Sequence, residues 1–422
     1  MTYSGTNSPR PRPGPAVRLS ALQAANFAGI GIYMPFMPAW LSYQGLSDRQ
    51  IGLTLAIGMI VRMLAAQPVA SLGDSRWGAV RVLVALQILS AFGYVLLPSL
   101  ASPVAIMSVM AVVAVLAAGL IPLGDHLTTA HVQTSPKLDF ARLRLWGSVS
   151  FLVMSIASGL MVSRLGVGAV PFMLCACCLL AAAVAWAAPE QRSTSSVRKA
   201  TLAAVRTDPE RMRLLWLAII ASALINASHA TLYGFATLHW RNLGIDSTMI
   251  GLLWASSVVA EVAMFWWFGR RATASPSAAM AFLGLAAAGA MLRFAAMPFA
   301  ATVPVILALQ ALHALSFGAQ LLGIMALIAM LAPAGRGALI QGRLSAVNAC
   351  LMGAGTLVSG MLFERFGALT FLVMLPVAFA GLIVLMITYR MSRRVLLDNA
   401  APGAIGLGRD AGFFRAQPEP ER

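Results

Sequence analysis

The sequence has few charged residues and very few acidic ones. Only 10% of its 422 residues are charged, against about 25% in ordinary soluble domains, and 14 acidic residues accompany 30 basic ones. Cysteine is also scarce, with four residues in the whole sequence. Their spacing matches no zinc-binding motif. We recognise no nucleophile–base constellation and no phosphate-binding loop. We therefore predict no metal site, no cofactor and no enzymatic activity.

Long apolar runs make up most of the chain. Hydrophobic residues account for 59% of the sequence, and the mean hydropathy is +0.81. The runs are near the length of about 20 residues that a helix needs to cross about 30 Å of hydrocarbon. We therefore predict an all-α membrane protein with twelve transmembrane helices. The predicted spans are residues 18–41, 50–71, 80–98, 101–124, 143–163, 168–188, 214–238, 250–268, 278–297, 304–331, 344–362 and 367–389.

The basic residues concentrate in alternate connections of this predicted topology. Only Arg49, Arg164, Arg241 and Arg365 lie in the odd-numbered connections. Cytoplasmic loops carry the excess of Lys and Arg, so we predict a multi-pass protein of the cell inner membrane with both termini in the cytoplasm. The net charge of +16 then reflects topology and contact with anionic lipid, and we expect no nucleic-acid partner.

The two halves of the chain carry matching residues about 200 positions apart. The matching pairs are Asn26/Asn226, Tyr33/Tyr233, Trp40/Trp240 and Arg144/Arg343. Six spans return the chain to the cytoplasm, so the halves form parallel repeats, the arrangement of major facilitator transporters. We predict cytoplasmic tails at 1–17 and 390–422, six-helix bundles at 18–188 and 214–389, and a cytoplasmic linker at 189–213.

Charged residues inside the predicted spans are candidate functional residues, because a charge at mid-bilayer costs about 2.5–3.5 kcal/mol. Arg62 and Glu261 occupy equivalent central positions in the two halves. Glu261 is the only acid at the centre of a span, so we assign it the proton, with His229, Arg293 and His313 as further coupling candidates. The alternatives are a structural ion pair for the first two, ordinary hydrogen bonding for the histidines, and snorkelling of Arg293 to the membrane surface.

An acid and an arginine also meet where span 4 ends and span 5 begins. Asp125 directly follows span 4, and Arg144 is the second residue of span 5, with Phe151 further along the same face. We expect Arg144 to face a central cavity, with Arg62 as the second candidate for a substrate anion. Three aromatic residues complete the predicted substrate site, and the alternative for each is simple packing. They are Tyr33, Tyr233 and Trp254.

The loop after span 2 resembles the gating loop of the major facilitator superfamily. It contains Asp74, Arg76 and Arg81, but Ala70 stands where that loop usually begins with glycine, and the first arginine is displaced by one position. The resemblance implies that these charges hold one side of the transporter closed. The degenerate pattern leaves open that Asp74 has no such role.

Motifs spread from span 1 to span 12 resemble the phenylpropionate permease family of this superfamily. They include Val61-Arg62, Pro122-Leu123-x-Asp125, Arg142-Leu-Arg144-Leu-Trp146-Gly147-Ser148, Ser228-His229-Ala230, Leu253-Trp254-x6-Glu261 and Gln310-x2-His313-x2-Ser316-Phe317. The resemblance implies a proton symporter of aromatic acids.

A more distant resemblance is to lactose permease. It implies that Asp125, Arg144 and Phe151 bind substrate and that Glu261, Arg293 and His313 serve proton coupling. Ser316 replaces that permease's glutamate, so coupling would rest on Glu261 or Asp125.

Together these features predict a monomeric secondary transporter in the lipid bilayer that takes up a small organic solute with protons. An aromatic carboxylate is the favoured substrate. The alternatives are a drug/proton antiporter, a nucleoside or sugar symporter, and a non-transporting membrane sensor on the same fold.

Overall fold

The computed structural model describes residues 14–135, 137–189, 208–333 and 336–398. These residues form α-helices, short 3-10 turns and one π-helical segment, and no strand occurs among them. The α-helices are α1 (Pro15–Tyr43), α2 (Asp48–Ser71), α3 (Ala79–Leu96), α4 (Pro103–Ala117), α5 (Leu120–Thr134), α6 (Phe140–Leu165), α7 (Val170–Trp186), α8 (Pro209–Ala227), α9 (Ala230–Asn242), α10 (Ser247–Ala272), α11 (Pro276–Ala296), α12 (Val303–Ala311), α13 (Gln320–Leu331), α14 (Gly337–Phe366) and α15 (Met374–Asp398).

Each predicted span overlaps one of these helices or two consecutive ones. The fourth span divides into α4 and α5, the seventh into α8 and α9, and the tenth into α12 and α13 with a π-helix at Ala314–Ala319 between them. Ten helical stretches of the described chain are long and apolar enough to cross a membrane. The last of the ten, Leu339–Ser392, includes both α14 and α15. The all-helical membrane fold is thus confirmed, whereas the count of twelve crossings stays a prediction.

Most helices extend beyond the predicted spans, and α1, α8 and α15 are examples. Helix α1 begins at Pro15 and α8 at Pro209, because proline is favoured in a first helical turn, where its missing N–H needs no partner. Helix α15 continues to Asp398, since backbone hydrogen bonding does not stop where the apolar run ends. The central part of the predicted linker, 190–207, and the tail from 399 lie outside the described residues.

The two halves touch backbone to backbone at one end of the bundle. We call this the far end; helices α2 and α10 begin there, and α6 and α14 end there. A Cβ atom on Gly52 of α2 would lie 2.8 Å from the Cα atom of Gly360 of α14. A Cβ atom on Gly159 of α6 would lie 3.2 Å from the Cα atom of Gly251 of α10. Only glycine permits so close an approach of two helices, so the halves are in direct backbone contact at the far end.

Candidate functional site

A cavity of about 260 Å³ lies mainly within the first half of the chain. That volume is slightly below the roughly 300–1,000 Å³ of typical small-molecule sites, so it suits one small solute. Its wall is mostly apolar, with contributions from α1, α2, α3, α4, α5 and α7 and with Tyr233 from the second half. Its polar side chains are Asn26, Tyr33, Arg62, Gln87, Ser90, Tyr94, Cys177, Cys178 and Tyr233.

Among the described residues that line the cavity, Arg62 is the one with a permanent charge. The Arg62 side chain is exposed. No carboxylate of the described chain lies within ion-pair distance of its guanidinium. Tyr33 and Tyr233, both candidates from the sequence, line the same cavity. The other predicted substrate residues, Asp125, Arg144, Phe151 and Trp254, do not line it.

Asp125 and Arg144 form an ion pair outside the cavity. The Arg144 Nε atom lies 3.6 Å from Asp125 Oδ1, and both side chains are about one-third exposed. Gln23 donates a hydrogen bond to the same carboxylate oxygen at 3.0 Å. The Arg144 guanidinium also lies 3.8 Å from the ring centroid of Phe27. Both groups therefore already have partners in this conformation.

A second group of predicted residues is buried between α10, α11 and α12. Arg293 is fully buried, so it does not snorkel to the surface. Its guanidinium lies 3.1 Å from His313 Nδ1 and also donates to Gln310 Oε1. The amide of Gln310 donates in turn to the carbonyl of Leu253 at 2.9 Å. On its other side, His313 Nε2 lies 3.7 Å from Glu261 Oε2.

The hydrogen bonds of His313 assign its tautomer. A guanidinium can only donate, so His313 Nδ1 must accept from Arg293, and the ring proton must sit on Nε2. That proton faces Glu261. His313 is therefore neutral, held in that form by the arginine, and its Nε2–H faces the glutamate across 3.7 Å, beyond hydrogen-bond distance.

His229 is assigned in the same way. Its Nδ1 atom faces the carbonyl oxygens of Ile225 and Asn226 at 3.3 and 3.2 Å, so this nitrogen carries the proton. Its Nε2 atom then accepts from the Ser316 hydroxyl at 3.0 Å. Both histidines are thus neutral in this arrangement, and their ring centroids lie 5.8 Å apart, with His313 the one that faces Glu261.

Tyr233 connects the cavity with this buried group. Its ring stacks on His229 with centroids 5.8 Å apart and on Trp254 with centroids 6.2 Å apart. Trp254 is itself buried and donates from Nε1 to Thr237 Oγ1 at 3.0 Å. Trp254 therefore packs against the ring of Tyr233 and does not itself line the cavity.

The remaining predicted residues stand apart from the cavity. Asp74 ends a short 3-10 turn and, with His126, lines a separate cleft of about 350 Å³. Arg76 lies over the ring of Trp77 at 5.4 Å, and no ion pair ties Asp74, Arg76 or Arg81 to another described residue. Phe151 packs its backbone against α1, where a Cβ atom on Gly31 would lie 2.6 Å from the Phe151 oxygen.

Sequence reasoning gave no role to several residues that make these contacts. Gln23, Phe27 and Gln310 hold the charged groups described above, while Gln87 and Ser90 line the cavity. One signal was available: amides inside long apolar helices need buried partners.

A bundle of apolar helices in two halves, with a small cavity mainly within the first, is typical of a membrane transporter of the major facilitator type. The chain belongs to the MFS_1 like family, whose sequence profile matches residues 17–373. Proteins of this fold are transporters and not enzymes.

Comparison with individual proteins agrees with that assignment. The chain is 31% identical over 251 residues to the "Probable 3-phenylpropionic acid transporter" of Escherichia coli (strain K12), an alignment that covers 57% of this chain and 63% of that protein. The nucleoside transporter NupG has a TM-score of 0.71 at 15% identity, covering 90% of this chain and all of NupG. A peptide transporter of the POT type, solved with alafosfalin, has a TM-score of 0.69 at 14% identity, covering 91% and 96%.

Proposed function

We propose that this protein takes up a small aromatic carboxylate of the phenylpropionate type together with a proton. The observation that carries the proposal is the cavity itself, which has mostly apolar walls, three tyrosines and, among the described residues, the single permanent charge of Arg62. The printed description of the Escherichia coli relative names an acid of this class. The cell inner membrane, with both termini in the cytoplasm, is the proposed location.

Arg62 is the proposed anchor for the substrate carboxylate. An unpaired guanidinium beside an apolar wall suits an anion with a flat apolar body, because it can form two parallel hydrogen bonds to a carboxylate. Arg144 was the first candidate from the sequence, but it is engaged by Asp125 and Phe27 and lies outside the cavity. The geometry therefore favours Arg62.

Glu261 is the proposed proton carrier. Its side chain is mostly buried, its nearest ionisable neighbour is the neutral His313, and Arg293 lies behind that ring. A carboxylate in this position faces the Nε2–H group of His313 across 3.7 Å and has the positive charge of Arg293 behind that ring, and both favour its charged form. When the neighbouring helices separate, this electrostatic support would weaken, and the acid would take up a proton.

The proposed coupling path runs through Tyr233. This residue lines the cavity and stacks on His229, which is bound to Ser316 one turn after His313. A substrate that displaces Tyr233 would shift α9 against the π-helical segment of the tenth span. That shift would change the distance between His313 and Glu261.

A matched pair of lysine variants tests the carboxylate site. Arg62→Lys should weaken binding of 3-phenylpropionate to the purified protein by about 1.5–3 kcal/mol, the scale of a charged hydrogen bond. Arg144→Lys is the control for loss of a guanidinium elsewhere and should have the smaller effect on affinity.

Isothermal titration with 3-phenylpropionate, its amide, a nucleoside and a sugar measures these differences. The amide should bind weakly to the wild type and respond little to Arg62→Lys. If the protein binds the nucleoside or the sugar but no aromatic acid, acid uptake is the wrong function. If an aromatic acid exchanges against protons in the opposite direction across vesicles, the antiporter alternative is correct.

A further inference from the structure

One wall of the cavity carries three buried polar side chains that the proposed function leaves unused. They are Asn26 of α1 and Gln87 and Ser90 of α3, and their exposed fractions are 7%, 2% and 1%. Gln87 Nε2 donates to Asn26 Oδ1 at 3.3 Å, and Asn26 Nδ2 donates to the Leu120 carbonyl at 3.3 Å. Ser90 follows Gln87 by three residues, so the two side chains share a helix face.

The hydroxyl of Ser90 is buried and has no hydrogen-bond partner in the part of the chain that is described. A serine within a helix usually donates to a carbonyl in the preceding turn, as Ser108 does to Val104 at 2.8 Å. A buried hydroxyl that forgoes this bond is costly unless a ligand supplies the partner. Since Ser90 lines the cavity, the missing partner can come from a molecule bound there.

The surroundings define what kind of group that partner is. An anionic group is drawn to Arg62, the only permanent charge that the described residues place on the cavity wall. The wall at Ser90 offers instead a hydroxyl that both donates and accepts, beside the amides of Gln87 and Asn26. A neutral group that can itself donate and accept complements this set, and a phenolic hydroxyl is such a group.

We propose that the cavity is selective for ring-hydroxylated aromatic acids, with Ser90 and Gln87 binding the ring hydroxyl while Arg62 holds the carboxylate. The inference rests on the proposed uptake of aromatic carboxylates and narrows their class. A site built to hydrogen-bond a hydroxyl discriminates against the analogue that lacks it, because its own polar groups are then left unpaired. The unhydroxylated acid is thus the weaker ligand.

The test compares affinities of the purified full-length protein for 3-phenylpropionate and for its 2-, 3- and 4-hydroxyphenyl counterparts. Wild-type protein should bind at least one hydroxylated isomer about tenfold more tightly than the parent acid, as expected for one satisfied buried hydrogen bond. Ser90→Ala should bring the ratio of the two affinities close to one. Gln87→Met, which keeps the side-chain volume, should lower the same ratio.

Ser108→Ala is the matched control, because Ser108 lies on the exposed face of α4 and should leave the ratio unchanged. The ratio separates recognition from folding, since a misfolded variant loses both ligands alike. The inference is overturned if no isomer is preferred by the wild type, or if the preference survives both substitutions. If none of the four acids binds while a nucleoside or sugar does, the proposed function itself fails.

Discussion

Substitution of Gly52 by alanine should open the far end of the bundle. A Cβ atom at this position would lie 2.8 Å from the Cα atom of Gly360 and 2.9 Å from the carbonyl oxygen of Thr356. Both are backbone atoms of α14, so they cannot yield as the end of a flexible side chain would. Helices α2 and α14 must therefore separate before the methyl group fits.

The size of the effect follows from the cost of overpacking. Forcing a methyl group into a closed backbone contact costs about 1–3 kcal/mol, and only the conformation with the far end closed pays it. That difference shifts the equilibrium toward the conformation open at the far end by about 5-fold to 150-fold. Gly342→Ala is the control, because nothing lies within 4 Å of a Cβ atom on this glycine of α14.

Labelling of Cys177 measures the shift, because this residue lines the cavity. In a background without the other three cysteines, a membrane-impermeant thiol reagent is added to right-side-out vesicles, whose outer face is predicted to be the far end. Gly52→Ala should raise the labelling rate, and Gly342→Ala should not. Equal rates in the two variants would show that the glycine contact does not control access to the cavity.

Three further predictions concern coupling, the buried arginine and topology. Glu261→Gln should abolish accumulation of substrate against its gradient in vesicles with an imposed pH gradient while leaving exchange of bound substrate, and continued accumulation would exclude Glu261 as the carrier. Arg293→Lys should lower the free energy of unfolding by about 1.5–3 kcal/mol, because lysine cannot bind both His313 and Gln310. A lower thermal-unfolding midpoint would show this loss, and the control Arg81→Lys, at an exposed site, should leave the midpoint unchanged. Reporter fusions at Gly166 and Ser247 should both read periplasmic, and a cytoplasmic reading at either site would contradict the predicted orientation.

The fold could be predicted from the sequence because a membrane leaves few alternatives. Apolar runs near 20 residues form helices in a bilayer, since every backbone polar group must find its partner within the segment. The breaks within three spans were not predicted. His229 lies between α8 and α9, and His313 immediately precedes the π-helix at Ala314–Ala319, although neither break contains a proline.

The candidate site was only partly predictable. The depth of a residue in the membrane can be counted along its own helix, but the neighbouring helix or cavity that its side chain faces cannot. Arg62 and Glu261 were placed at equivalent depths, and the structure puts them in different surroundings. One lines an open cavity without an acid partner, whereas the other lies beside a neutral histidine. The tautomer of that histidine depends on Arg293, which reaches it from another helix. No spacing within a single span contains this information.

The separation of the two charged groups bears on how substrate and proton are linked. In one mechanism, the substrate carboxylate would displace an acidic side chain from the cavity arginine, and the freed acid would take up a proton. That mechanism requires an acid paired with Arg62, and Arg62 has none among the described residues. Tyr233 is the candidate residue that touches both regions, through the cavity wall and through its stack on His229. On this geometry the proposed coupling is mechanical: the substrate would reposition an aromatic stack, and the stack would alter the 3.7 Å separation between His313 Nε2 and Glu261 Oε2.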